Sequence, residues 1–147
     1  MEQLIISAVA VLGTLISLKF KGFVHKAISI GLTISVLLVW TSNRYIITGS
    51  FILFTLLSII TLFYGLTVKN SNKVEKISIM IMGFFFTISS IFKLFHYFGT
   101  EIIQLSLIVP IIITLTAIIR SRQLTREMSF MIIWLVYAIS EFLKFWT

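Results

Sequence analysis

Lys93, His96 and Glu101 stand close together in "SSIFKLFHYFGTEII" (Ser89 to Ile103), a stretch that is otherwise strongly apolar. An ammonium, an imidazole and a carboxylate in such surroundings have the chemistry of an ion or proton path. Ionisable groups inside a membrane are costly, and they mark such paths by default. Imidazole titrates near neutral pH, which would suit His96 to sensing pH. Glu141 and Lys144 form a second set, spaced i, i+3 so that they can pair on one helix face. Arg44, Lys93 and Lys144 each close an apolar run. Together, Arg44, Lys93, His96, Glu101, Glu141 and Lys144 make a candidate polar cluster at one face of a membrane.

Each of these residues has a plainer role as well. Lys93 lies about one turn, roughly 5 Å, from the expected end of its helix. A lysine stem can snorkel that far and leave its charge at the interface. At mid-membrane the same charge would cost about 2.5–3.5 kcal/mol. His96 can bond water or headgroups. Glu101 suits a helix N-terminus, where negative charge is favourable. Glu141 lies deeper and most needs a partner, which Lys144 can supply. Pro110, the one proline, falls within an apolar run. It removes a backbone donor and frees the carbonyl of Ser106, so a kink is expected there. His25 reads as loop polarity, and Gly31 with Ser35 as a close-packing face.

The wider chemical inventory is thin. The acids are Glu2, Glu75, Glu101, Glu127 and Glu141, the histidines are His25 and His96, and there is no cysteine. Disulfides, thiolate metal sites and cysteine nucleophiles are excluded. The chain has no HExxH, no phosphate-cradling glycine loop and no credible Ser/His/acid set. No metal, no cofactor and no enzymatic activity are expected.

The elements that must position these residues are membrane helices. Of 147 residues 59% are hydrophobic and 12% charged, with mean hydropathy +1.10; soluble domains carry about 25% charged residues. A span needs about 20 apolar residues. Six are predicted: 3–18, 23–41, 46–67, 77–97, 101–119 and 128–146. Their runs are continuous rather than alternating, which selects helices over a closed barrel. The expected fold is therefore all-α, a polytopic bundle in one membrane domain, 1–147. "MEQLII" lacks the basic start of a signal peptide, so the first run is expected to stay as a span.

Net charge is +7, but the basic residues sit in short loops rather than on one solvated face, so nucleic acid is not an expected partner. Lys19 and Lys21, then Lys69, Lys73 and Lys76, then Arg120, Arg122 and Arg126 occupy alternate loops. By the positive-inside bias, loops 19–22, 68–76 and 120–127 are cytoplasmic and both termini lie outside. The basic loops would meet anionic headgroups. Trp40, Tyr45, Tyr97, Phe98 and Trp146 then fall at the outer boundary, where such rings are favoured. Richness in Ile, Phe, Lys and Asn is what a low-GC bacterial genome gives, and the expected location is a bacterial inner membrane.

A repeat runs through the chain. At an offset of 51, Ser78 aligns with Ser129, Met80 with Met131, Ser89 with Ser140 and Lys93 with Lys144; at 49, Ser29 aligns with Ser78 and Arg44 with Lys93. This predicts three parallel hairpins of about 50 residues. The segment Phe92-Lys93-Leu94-Phe95-His96-Tyr97-Phe98-Gly99 resembles the "FKxxHWPG"-like turn of the GldL-type inner-membrane proteins of Bacteroidota, subunits of the gliding-motility and type IX secretion motor. The resemblance covers one hairpin and implies hairpin geometry. Tyr97 and Phe98 stand where that pattern has Trp and Pro. Glu101 stands at the helix start rather than deep in the membrane, so the resemblance does not transfer a proton role.

The expected function is that of a structural or accessory subunit, acting through helix packing with membrane-protein partners or as a homo-oligomer within the lipid bilayer. The alternative is a channel or transporter for an ion, a proton or a small solute. A membrane enzyme acting on lipid ranks third.

Overall fold

The computed structural model describes residues 2–69, 72–95 and 99–144. His96, Tyr97, Phe98 and Trp146 lie outside the described residues, and with them part of the expected cluster and aromatic belt. The described chain is all-helical: α1 (Glu2–Leu18), α2 (Val24–Leu38), α3 (Arg44–Thr67), α4 (Lys73–Leu94), α5 (Thr100–Ser106), α6 (Ile108–Ser121) and α7 (Met128–Leu143).

Local chemistry sets the boundaries. Asn43 caps α3, its side-chain oxygen accepting the Tyr45 N–H at 2.9 Å, which offsets an unpaired donor at the helix start. Gly99, at φ 96°, supplies the left-handed residue that the turn before α5 requires. Several boundaries depart from the expected spans, three of them with a local cause. The helix expected at 77–97 begins earlier, at Lys73, with Glu75 in its first turn, where a carboxylate complements the helix dipole. The helix expected at 23–41 ends at Leu38. Trp40 and Thr41 there donate three residues back, to Leu37 and Leu38, and the Trp40 indole N–H bonds Ser7 Oγ at 2.8 Å. The span holding Pro110 is divided at Leu107, three residues ahead of the proline, where the Leu107 N–H donates to the Gln104 carbonyl at 3.2 Å.

α3 (Arg44–Thr67), α4 (Lys73–Leu94) and the α5–α6 run Glu101–Ser121, taken as one, are long and apolar enough to cross a membrane; Gln3–Leu18, Val24–Leu38 and Met128–Leu143 are apolar but shorter. Large apolar side chains stay exposed on the outer faces, among them Leu12, Leu56, Phe84, Ile112 and Ile119. Helices that are apolar all round suit a surface that meets lipid.

Consecutive helices pack on one another from α1 through α5, α6 packs back on α4, and α7 closes the bundle by packing on α1, α2 and α6. Most of α7 is buried. Its Trp134 stacks on Phe86 of α4, with ring centroids 4.4 Å apart, and meets Phe54 of α3 edge-on at 4.8 Å. Tyr137 adds contacts to Phe54 and Phe86. Phe54 lies ten residues into α3, roughly 15 Å along it, so this aromatic layer fills the bundle near half height.

Hydroxyls join the helices. Thr14 bonds Thr33 at 2.7 Å, Ser50 donates to the Ser35 carbonyl at 2.7 Å, Ser58 bonds Thr87 at 3.0 Å, and Ser78 bonds Thr114 at 2.7 Å. Interhelical bonds of this kind fix how apolar helices sit against one another. Ser29, Ser78 and Ser129, aligned by the repeat, are all fully buried, and Ser29 and Ser129 bond each other at 3.3 Å.

Glycines bring α3 and α4 into their closest approach. A Cβ on Gly83 would sit 2.5 Å from the Leu62 nitrogen and 2.7 Å from its Cα. Backbone cannot swing aside as a side-chain tip can. Gly83→Ala is therefore expected to lower stability by about 1–3 kcal/mol, measured by denaturant unfolding in detergent. Gly49→Ala is the control, since a Cβ there meets nothing within 4 Å; equal effects would refute the close-packing account.

Candidate functional site

Two polar clusters occupy opposite ends of the bundle. At one end, Glu141 of α7 is 3% exposed and accepts from two lysines. Lys93 reaches it from the last turn of α4, and Lys144 pairs with it at 2.9 Å across i, i+3. Lys93 turns inward rather than outward: its side chain is 21% exposed, and its Nζ lies 5.8 Å from the centroid of the Tyr137 ring. Two ammonium groups on one carboxylate satisfy a charge that would otherwise be costly to bury.

Two cavities flank this ion triad. The first, about 210 Å³, lies between α1, α2, α3 and α7 and includes Gln3, Trp40, Phe54, Tyr137, Glu141 and Lys144 in its lining. The second, about 510 Å³, has Arg44 and Lys93 in its wall and shares Phe51 with the first. The structure thus joins Lys93, Glu141 and Lys144 directly and sets Arg44 beside them. Glu101 lines neither cavity and is exposed in the first turn of α5. Pro110 also lines neither; it is buried on α6, beside the buried Leu107.

At the other end lies a cluster that sequence reasoning missed. Glu127 is 4% exposed and accepts from Arg126 and, at 3.0 Å, from the Tyr64 hydroxyl. Glu75, also 4% exposed, accepts from the Thr125 hydroxyl. The bond to Glu127 raises the Arg126 pKa above its already high ordinary value. His25 is 1% exposed, with its Nε2 3.3 Å from the Ser17 carbonyl. It is a packed core residue rather than loop polarity. The cluster ties the α6–α7 connection to α3 and α4 through side chains some 50 to 63 residues apart. The available signal was weak: both acids stand in basic loops, where a carboxylate reads as ordinary loop polarity.

The alternation of ends follows from these contacts. Gln3 and Lys144 line one cavity, while the α1–α2, α3–α4 and α6–α7 connections, with most of the basic residues, lie at the His25 end. Comparison with protein-family models, curated proteins and solved structures gives no match.

Proposed function

We propose that this chain is a six-span protein of a bacterial inner membrane, acting as a structural or accessory subunit. The carrying observation is the aromatic layer of Phe54, Phe86, Trp134 and Tyr137 at half height. It separates the Glu141 cluster from the Glu127 cluster. The first cavity ends against Phe54 and Tyr137, members of that layer. A bundle with its charged clusters at the two ends and a middle filled by aromatic rings and hydroxyls bonded between helices is built to be rigid rather than to conduct.

In this reading the three shorter helices also cross. A helix of 15 to 17 residues spans roughly 23–26 Å at 1.5 Å per residue, short of the ~30 Å hydrocarbon core. Local thinning and flanking residues make up the rest. The Lys144 end faces outward and the basic loops face the cytoplasm. Partners then meet the chain within the membrane or at those loops.

The second reading, transport of a small solute or proton, draws on the cavity that reaches half height. It requires the aromatic layer to part. Reconstitution into liposomes carrying a pH gradient or a potassium gradient separates the two. No flux above empty liposomes is expected, together with co-elution of defined membrane partners, or of a second copy, from mild detergent. Flux that disappears in Glu141→Gln would overturn the subunit reading in favour of transport.

A further inference from the structure

At the Glu141 end of the bundle, two charged side chains stand outside the ion triad. Arg44 lies in the first turn of α3 and Glu101 in the first turn of α5, and both are exposed. Among the described residues neither side chain has a hydrogen-bond or ion-pair partner. α3 packs on α2 and α4, while α5 and α6 pack on α4 and α7, so α4 stands between the two charges.

Each charge heads an exposed apolar stripe: Ile52, Leu56 and Phe63 down α3, and Leu105, Ile112 and Ile119 down the α5–α6 run. Lipid covers such stripes as readily as protein does, and by themselves they select nothing. The charges select. A two-fold contact of α3 on α3 would set Arg44 against Arg44, and one of α5 on α5 would set Glu101 against Glu101; like charges so placed repel. Of the contacts these two faces can make, only α3 of one copy on α5–α6 of the next joins opposite signs. Both runs pass from the Glu141 end to the basic end, so in one membrane they lie parallel with Arg44 and Glu101 level. The far ends carry like charges, Lys69 and Arg120, but these come 25 residues after Arg44 and 19 after Glu101. They are staggered by roughly 9 Å, about one screening length.

We propose that copies of this chain associate head to tail, α3 of one against the α5–α6 run of the next, with the Arg44 guanidinium on the Glu101 carboxylate across the contact. Every copy carries one face of each kind, so the contact repeats, closing into a ring or running on as a row. The ion pair fixes register and partner face more than it adds affinity; the apolar stripes supply the buried area. This inference rests on the subunit reading and names the partner as a second copy of the chain.

Cross-linking tests it on a clean background, since the chain has no cysteine. Tyr45→Cys and Ile102→Cys place thiols beside the two charges, at sites 88% and 73% exposed. The variants are reconstituted in phosphatidylcholine liposomes, singly and mixed, and treated with a short bismaleimide. The mixture should give a cross-linked dimer that persists on dilution with lipid, and each variant alone should not. A chain carrying both cysteines should give a ladder. Adding Arg44→Glu to the Tyr45→Cys copy should cut the mixed dimer about threefold, and adding Glu101→Arg to the Ile102→Cys copy should restore it; partial restoration by Glu101→Gln serves if Glu101→Arg does not fold. Three results would each overturn the proposal: no dimer in the mixture, single variants that cross-link as well as the mixture, or a charge reversal that neither weakens the dimer nor is rescued. Co-purified subunits of another kind without any cross-link would overturn it too and leave the subunit reading standing. Flux that disappears in Glu141→Gln would instead remove the subunit reading, with the cross-links in place.

Discussion

Trp134→Ala is expected to lower the unfolding free energy by about 3–5 kcal/mol. Trp134 is 1% exposed and touches rings from both α3 and α4. It is where the central helix grips the α3–α4 pair. Removing the indole leaves a void at half height that neighbouring glycine-packed backbones cannot collapse into. The loss is therefore one of dispersion contacts and of cavity formation. Trp134→Phe tests this account from the other side. The indole Nε1 is buried without a hydrogen-bond partner among the described residues, and an unsatisfied buried donor costs about 1–3 kcal/mol. Phenylalanine removes that donor and keeps most of the stacking surface, so its net effect should be small. Urea unfolding of both variants in detergent decides it. A loss in Trp134→Phe as large as in Trp134→Ala would mean that the indole N–H, not its bulk, carries the stability. The same variant bears on function: proton leak through Trp134→Ala liposomes, absent from wild type, is expected if the aromatic layer is the barrier between the two polar clusters.

How much of this was legible depended on whether the feature was local. Continuous apolar runs announced helices, and those helices are present with shifted ends. Glu141 and Lys144 were readable as a pair because i, i+3 spacing is a property of one helix. Lys93 joins them across 48 residues. The repeat that aligned Lys93 with Lys144 gave a hint of that meeting without showing that they share one carboxylate. What could not be read was which helix lies inside. In a water-soluble bundle the polar faces point outward and identify the core by contrast. Here Phe84 and Ile112 face out while Phe86 and Trp134 face in, and their types are alike. The central place of α7 was therefore invisible, as was the Tyr64–Glu127 bond, which depends on α3 and α7 meeting at one end.

The Glu141 triad makes the second large prediction, and its sign rests on which charge is left without a partner. Removing both lysines, as Lys93→Met with Lys144→Met, leaves a carboxylate that is 3% exposed with neither of its ammonium partners. Breaking a buried pair in this way costs about 3–5 kcal/mol. Either single substitution leaves the other ammonium in place, and each should cost about 1 kcal/mol. The double variant should thus lose clearly more than the sum of the singles, the signature of two groups sharing one partner. Glu141→Gln leaves two ammonium groups instead, but these are 21% and 47% exposed. Their stems can swing the charge towards the interface, so its cost should fall below that of the double variant. Thermal unfolding of the four proteins in one detergent, at one pH, gives the order. Additive lysine effects would mean that Glu141 is not shared. A Glu141→Gln loss exceeding the double variant would give the carboxylate a role beyond pairing, and would return the triad to the proton-path chemistry that its residue types first raised.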